Sequence, residues 1–163
     1  MTRILLIQGA DTNHLGKRRP RFSGTAAADA LDAMLQKEAR ERRVTLRIEY
    51  PHREGQAMDL VCRAAADCVD GLLMNPGGFT HTGFALRECL LGVRLPYVEV
   101  HMTNLELRGI KSATAAAAVG VIAGLGVRSY TLGLQALLGV LEARRVGGGG
   151  STPASTGCMG SFL

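Results

Sequence analysis

The sequence has no tryptophan and few other aromatic residues, which together make up 4% of its 163 positions. Any hydrophobic core must therefore be built from aliphatic side chains and alanine. Hydrophobic residues account for 47% of the chain and charged residues for 20%. This composition excludes a chain that is disordered throughout, and the length is close to that of one ordinary domain.

A membrane span and a disulfide framework are also missing from the sequence. No apolar run reaches the roughly 18 residues that a transmembrane helix needs. The apolar start Ile4–Ile7 is too short for a signal peptide. Neither C-x-x-C spacing nor a histidine at zinc spacing is found among Cys62, Cys68, Cys89 and Cys158. We therefore predict buried free thiols, no metal site and a cytoplasmic location.

A large charge of one sign is absent too, because 19 Lys and Arg residues face 14 Asp and Glu residues, a formal net charge of +5. This excess suits an anionic ligand but is too small, by itself, to indicate nucleic acid. The most basic stretch, Lys17–Arg21, has three open interpretations: a carboxylate clamp, a solvated charge run, or the contact surface of a nucleic-acid or signalling module. Dinucleotide and P-loop patterns are not matched, since Gly124–Gly126 is a lone G-x-G.

What the sequence does contain is a regular alternation of two kinds of segment. Apolar runs of four or five residues predict strands covered on both faces, as in a parallel sheet. They are Ile4–Ile7, Leu46–Tyr50, Gly71–Met74, Tyr97–Val100 and Val119–Ala123. Helical spacing of apolar residues predicts helices at Thr25–Arg42, Gln56–Asp67, Thr80–Leu91 and Val127–Arg144. The pattern indicates an α/β fold with a doubly wound, five-stranded parallel sheet between two helical layers.

The two predicted helices at either end of this pattern carry specific expectations. Leu31, Met34 and Leu35 should form the buried face of the first helix. In the last helix, the predicted face is Leu132, Gln135, Leu138 and Leu141. Beyond Arg145 the composition turns to Gly, Ser, Thr and Pro, so we predict one domain at residues 1–145 and a flexible tail at 146–163.

The loops that follow the strands should hold the site, because ligands of open α/β sheets bind at the carboxyl ends of the strands. Glu99 and His101 lie two residues apart in an extended segment, so the carboxylate can orient the imidazole as a proton donor. His81 is as well explained by a local cap as by a ligand contact. Asn13 and Asn75 are amides that could hold a ligand oxygen or satisfy a turn.

Several of these strand ends resemble type II 3-dehydroquinate dehydratases. Asn75–Thr82 reads NPGGFTHT, and Leu95–Asn104 reads LPYVEVHMTN. Further matches are Glu54-Gly55, Val119–Gly126 and the first loop, and the likeness runs in order over roughly residues 3–144. The resemblance implies a flavodoxin-like fold, a dodecamer built from trimers, and no metal or cofactor. The implied reaction is anti elimination of water from 3-dehydroquinate, a small hydroxylated carboxylate, through an enolate.

The resemblance also implies roles for individual residues. His101 would be the general acid, oriented by Glu99. Asn13 would help to hold the water that stabilises the enolate, and Arg18 would lie on a lid and lower the pKa of the base. Binding of the substrate hydroxyls and carboxylate would fall to Asn75, Gly77, His81, Glu88, Met102 and Thr103.

The chain departs from the family pattern at two functional positions. Where the family has a tyrosine base on the lid, this chain has Ser23, and a serine hydroxyl is too weak an acid to serve as a phenolate does. Lys111 stands where an arginine would grip the substrate carboxylate, which loses bidentate geometry. Tyr50, His52 and His14 are alternative candidates for the base.

These departures leave two enzyme-family interpretations beside the nucleic-acid one. The first is a working 3-dehydroquinate dehydratase that uses another base. The second is a divergent homologue that binds or converts a different hydroxylated cyclic carboxylate, or is inactive. The first is preferred because most of the predicted constellation is retained.

Overall fold

The computed structural model describes residues 1–12 and 28–147. Five strands alternate with helices along this part of the chain. The strands are β1 (Thr2–Ala10), β2 (Val44–Glu49), β3 (Gly71–Gly77), β4 (Tyr97–His101) and β5 (Gly120–Ala123). The helices are α1 (Ala28–Glu41), α2 (Glu54–Ala66), α3 (Phe79–Thr82), α4 (Phe84–Val93) and α5 (Arg128–Gly147). Short 3₁₀ turns cover Glu106–Arg108 and Ala115–Ala117.

All five strands form one parallel sheet in the order β2-β1-β3-β4-β5. This order and the crossover helices confirm the predicted doubly wound, flavodoxin-like α/β fold. Gln8 of β1 is the register partner of Asn75 of β3, and Met74 of β3 is that of Glu99 of β4. The carboxyl ends of the three central strands therefore lie side by side, as the sequence predicts.

The three central strands are covered on both faces, and their alternate residues enter two separate cores. The prediction of double coverage is wrong for the edge strands, since β2 contributes to one core only and Val121 of β5 is exposed. Ile4 and Leu6 pack against the face covered by α1 and α5, whereas Leu5 and Ile7 pack against the face covered by α2 and α4. On α1 the predicted Leu31 and Leu35 are buried. Continuous apolar runs arise because a strand buried on both sides has no solvent-facing positions.

The predicted helix Thr80–Leu91 is two helices, because the chain breaks at Gly83 between α3 and α4. A β-carbon at Gly83 would lie 2.7 Å from the Phe79 carbonyl oxygen and 3.0 Å from Cγ2 of Thr114. The break thus depends on glycine, which lets the buried Thr114 approach the turn. The consequence is that His81 belongs to a separate four-residue helix.

The predicted buried face of α5 is wrong in part. Leu132 and Gln135 are exposed, and the buried face is formed by Tyr130, Leu134, Leu137 and Leu141. Gly133 also lies on it, so close to β4 that an added β-carbon would overlap Val100 and Leu73. The predicted set repeats every three residues and so drifts around the helix, whereas residues 130, 134, 137 and 141 follow the helical period and stay on one face.

The ends of the chain and the cysteines differ from expectation in smaller ways. α5 continues through Gly147, and the rest of the predicted tail lies outside the described residues. The expectation of buried free thiols is wrong for Cys68, which is disulfide-bonded, and for Cys62, which is exposed. Cys62 and the half-buried Cys89 are free, and their Sγ atoms are 3.7 Å apart. Within the described ranges no helix is long and apolar enough to cross a membrane.

Candidate active site

Glu99 and His101 form a buried pair at the carboxyl end of β4. Two residues of extended chain place both side chains on the α2/α4 face. The His101 Nε2–H donates to Oε1 of Glu99 at 2.6 Å. Glu99 is fully buried and His101 is 5% exposed. The sequence prediction that the carboxylate orients this imidazole is matched by the geometry of the pair.

The second carboxylate oxygen of Glu99 is occupied by hydroxyl groups that the sequence analysis missed. Tyr97 donates to Oε2 at 2.5 Å, and Thr114 donates to the same atom at 2.6 Å. Ser112 lies behind Thr114, with 3.3 Å between their hydroxyl oxygens. The spacing 97/99/101 could have revealed Tyr97, because alternate strand residues share a face. Nothing in the sequence pattern indicates Thr114.

These donors decide the charge of the carboxyl group. Burial alone would raise the pKa of Glu99, but hydrogen bonds outweigh it and hold this pKa below its ordinary value. In order of effect, the donors are His101, Ser112, Thr114 and Tyr97. The group is therefore a carboxylate at neutral pH, and it can stabilise a positive charge on the neighbouring imidazole.

A second, uncharged cluster lies on the opposite face of the sheet. The Asn75 amide donates to the Tyr130 hydroxyl at 2.7 Å, and that hydroxyl donates to Oε1 of Gln8 at 2.8 Å. The Asn75 carbonyl accepts from the backbone N–H of Gly77 at 3.1 Å. Gln8 Nε2 is buried and has no hydrogen-bond partner within residues 1–12 and 28–147. Asn75 thus ties β1, β3 and α5 together, and its amide supports the loop that follows β3.

Gly77, a predicted binding residue, closes that loop in a left-handed conformation. Its φ is +55°, and a β-carbon there would overlap the carbonyl oxygen of Ala10. Any other residue would be strained by the backbone and blocked by β1. The backbone at the end of β3 is therefore fixed by Asn75 from one side and by β1 from the other.

Two other predicted binding residues are exposed on helices. His81 lies in the last turn of α3. Glu88 lies on α4, where its carboxylate accepts from the Arg87 guanidinium at 2.8 Å. Among the described residues, the hydrogen bonds and ion pairs link neither of them to His101. The structure therefore does not join these two side chains to the buried pair.

The segment after β4 brings together the remaining predicted binding residues. The Met102 side chain is buried in the α1/α5 core, and its backbone carbonyl accepts from the N–H of Gly126 at 2.9 Å. Thr103 accepts a hydrogen bond from Arg108 Nη1 at 3.0 Å, a contact that the sequence analysis did not foresee. Lys111 is exposed just before Ser112. This segment offers hydroxyl and cationic groups next to the strand end.

The first loop holds the remaining predictions. Asn13, His14, Arg18 and Ser23 lie outside the described residues, as does all of Lys17–Arg21. Of the alternative bases that are described, His52 is exposed. No group of three or more metal-ligating side chains occurs within residues 1–12 and 28–147.

Tyr50 fits the role of a base poorly. Its hydroxyl donates to Asp32 on α1 at 2.7 Å. Burial and then the Asp32 contact raise the pKa of Tyr50 well above its ordinary value, so its phenolate is not formed near neutral pH. The geometry argues that Tyr50 is a structural hydroxyl.

Comparison with known proteins shows to which family this chain belongs. The family described as Dehydroquinase class II matches residues 2–138. The chain belongs to this family. Two relatives named 3-dehydroquinate dehydratase, both from Prochlorococcus marinus, are 38% identical (strain MIT 9211) and 41% identical (strain MIT 9313). Each alignment covers 86% of this chain, and they cover 97% and 95% of the respective relatives.

Solved structures of the family share the fold. The type II dehydroquinase from Butyrivibrio crossotus aligns with a TM-score of 0.80 at 29% identity, covering 84% of this chain and 97% of that one. The enzyme from Propionibacterium acnes gives 0.77 at 30% identity, with 87% and 97% covered. The match to whole family members, and not to a fragment, shows that the chain is a type II dehydroquinase homologue of hydro-lyase type.

Proposed function

We propose that this chain is a 3-dehydroquinate dehydratase. The observation that carries the proposal is the buried Glu99–His101 pair, in a member of the type II dehydroquinase family. A carboxylate-supported imidazole is a group that can deliver a proton to a leaving hydroxyl. Full-length relatives named for this reaction support the choice of substrate.

The proposed reaction is an anti elimination in two steps. A base removes a proton from the carbon next to the substrate ketone, and the electron pair of that bond forms an enolate. The enolate then re-forms the ketone while a carbon–carbon double bond forms and the hydroxyl departs. His101, whose Nε2–H is held by Glu99, gives the proton on its other nitrogen to this hydroxyl, which leaves as water.

The remaining roles are assigned from the family resemblance. As the family resemblance implies, we assign Asn13 to holding the water that stabilises the enolate. We assign Arg18 to lowering the pKa of the base. The substrate hydroxyls and carboxylate are assigned to Asn75, Gly77, His81, Glu88, Met102, Thr103 and Lys111. Amide, hydroxyl and cationic groups of this set can donate to an oxygen-rich anion, whereas the Glu88 carboxylate can only accept from a substrate hydroxyl.

This chain differs from the family at the residue that acts as the base. Ser23 occupies the position at which the family places a tyrosine. A serine hydroxyl needs a second group to take its proton. Because the Tyr50 hydroxyl is hydrogen-bonded to Asp32, we favour other residues as the base. These are an activated Ser23 or one of the two histidines His14 and His52.

The test is a direct assay of the elimination. The purified full chain is incubated with 3-dehydroquinate, and the conjugated enone of the product is followed in the ultraviolet. We expect absorbance to rise, and we expect His101→Asn to lower kcat by about 10²- to 10⁴-fold because the general acid is lost. A wild-type rate equal to that of the heat-denatured protein would refute the proposal.

Ser23 favours a second candidate: a homologue that binds a hydroxylated cyclic carboxylate without dehydrating it. In that case 3-dehydroquinate should raise the melting temperature although no enone forms. Ser23→Tyr should then create dehydratase activity. Inactivity of Ser23→Tyr, with binding intact, would place the defect at another group such as Lys111.

Three further expectations accompany this function. We propose a homo-oligomer, a dodecamer of trimers, in a cytoplasmic location. We also retain the division into a domain at 1–145 and a tail at 146–163. Among the described residues, α5 continues beyond the proposed boundary as far as Gly147.

A further inference from the structure

We propose that Tyr97 and Thr114 are positioning residues for the proton donor of this site. Their hydroxyls hold Oε2 of Glu99, so that Oε1 alone is left for His101. The kinetic part of this inference rests on the proposed function, but its spectroscopic part does not. Neither residue is expected to touch substrate.

The geometry fixes how the carboxylate is shared. Oε2 of Glu99 accepts from Tyr97 at 2.5 Å and from Thr114 at 2.6 Å, while Oε1 accepts from His101 at 2.6 Å. All four side chains are buried, and Tyr97 is 1% and Thr114 0% exposed. Rotation of the carboxylate would break two short hydrogen bonds in a buried place, which is costly.

Both hydroxyls are obliged to donate, because a carboxylate has no proton to offer. Burial, and next to it the Glu99 charge, raise the pKa of Tyr97 well above its ordinary value, so this phenol keeps its proton. Thr114 is held in place by its own surroundings. The backbone N–H of Ala113 donates to the Thr80 carbonyl at 2.8 Å, which ties the segment to α3.

The two donors also moderate how strongly Glu99 attracts the imidazole proton. Each hydrogen bond to Oε2 withdraws negative charge from the carboxylate. Removal of one donor leaves a more basic carboxylate, which binds the Nε2–H of His101 more strongly. A more tightly held imidazolium gives up its other proton less readily. Loss of either hydroxyl should therefore slow proton delivery and leave substrate affinity almost unchanged.

A purely structural role is the competing explanation for both hydroxyls. They would then simply satisfy a buried carboxylate, and their removal would lower stability without altering the imidazole. Two readouts separate these roles: the nuclear magnetic resonance signal of the His101 Nε2–H proton, and the split between kcat and KM.

The experiment compares Tyr97→Phe and Thr114→Val with Thr114→Ser and with Tyr50→Phe. The first two delete a donor at nearly constant volume, and the third keeps the hydroxyl. Tyr50→Phe is the matched control, because it also deletes a tyrosine hydroxyl. That hydroxyl donates to Asp32 and belongs to the residue directly after β2, so it makes no contact with Glu99 among the hydrogen bonds of the described residues. All variants are made in the full chain and measured with 3-dehydroquinate.

We expect the Nε2–H signal to move downfield in Tyr97→Phe and Thr114→Val and to stay in place in Tyr50→Phe. We expect kcat to fall about tenfold in the two deletions, on the scale of one hydrogen bond to a charged group, with KM within about twofold. Thr114→Ser should recover most of the loss seen in Thr114→Val.

Unchanged proton signals in both deletions would overturn the inference, whatever happens to stability. If Tyr97→Phe does not fold, the Thr114 pair decides the question by itself. If the wild-type protein lacks dehydratase activity, the proposed function fails, while the proton signal still tests whether Tyr97 and Thr114 act on His101.

Discussion

Two buried tyrosines, Tyr97 and Tyr130, lie on opposite faces of the same sheet and serve different kinds of polar cluster. The Tyr97 hydroxyl donates to the carboxylate of Glu99, which also accepts from the imidazole of His101. The Tyr130 hydroxyl lies between two neutral amides, accepting from Asn75 and donating to Gln8. Burial comes first among the causes that raise the pKa of each tyrosine, that of Tyr130 to about 12.

The difference lies in what the partner can do. In the amide cluster no proton changes place, so its hydrogen bonds fix backbone, above all the turn at Gly77. In the carboxylate cluster, the hydroxyl of Tyr97 donates to a group that carries charge. The role of a buried tyrosine hydroxyl in this fold therefore depends on its partner. With neutral amides it stabilises the backbone, and with a carboxylate it influences proton transfer.

The largest effect should come from Glu99→Gln, which removes the charge from the carboxylate cluster. We expect kcat to fall by about a hundredfold or more, because the imidazole loses its orienting anion. The pKa of Glu99 is lowered in the folded chain. Its contribution to stability is therefore present above the unfolded value near 4.5 and is lost as pH falls through the folded pKa.

Urea unfolding as a function of pH checks this expectation. The wild type should lose more stability than Glu99→Gln when the pH is lowered from 7 to 3. Glu142→Gln, at an exposed carboxylate on α5, serves as the control and should follow the wild type. Parallel acid curves for wild type and Glu99→Gln would contradict the role assigned to the four donors.

Tyr130→Phe should have an intermediate effect, and on stability more than on chemistry. It leaves Asn75 and Gln8 with unpaired amide groups in a buried place, which costs about 1–3 kcal/mol. Urea unfolding at pH 7 measures this loss. A fall in kcat larger than that of Tyr97→Phe would show that the amide cluster also takes part in the proton chemistry.

Gln8→Met should have the smallest effect. In the part of the chain that the structure describes, Gln8 Nε2 has no partner, so removal of the amide deletes an unsatisfied donor together with the acceptor of Tyr130. The two changes oppose each other, and we expect the free energy of unfolding to change by less than about 1 kcal/mol. A loss as large as that of Tyr130→Phe would show that the Gln8 carbonyl dominates the cluster.

The strands and the Glu99–His101 pair were predictable because their information is local. Apolar runs mark doubly covered strands, and an i, i+2 spacing puts both polar groups on one face. The family resemblance added the reaction and the candidate binding residues, and the match to residues 2–138 confirms the family.

The rest depends on contacts between distant segments. Thr114 reaches Glu99 only because Gly83 and Thr80 hold its segment beside α3. The buried face of α5 is different, because residues 130, 134, 137 and 141 follow helical spacing and could have been recognised from the sequence. The contacts around Thr114 have no such periodicity, so sequence spacing alone could not give them.

The hydrogen bond between Gln8 and Tyr130 joins residues 122 positions apart, whereas Thr114 and Glu99 are separated by 15. The entropy lost on closing a loop grows with its length. The carboxylate cluster needs only β4 and the segment that follows it, but the amide cluster needs the first strand and the last helix to have docked. The hydrogen bond of Tyr130 to Gln8 therefore joins the two ends of the domain, and it can form only when both ends have docked on the sheet.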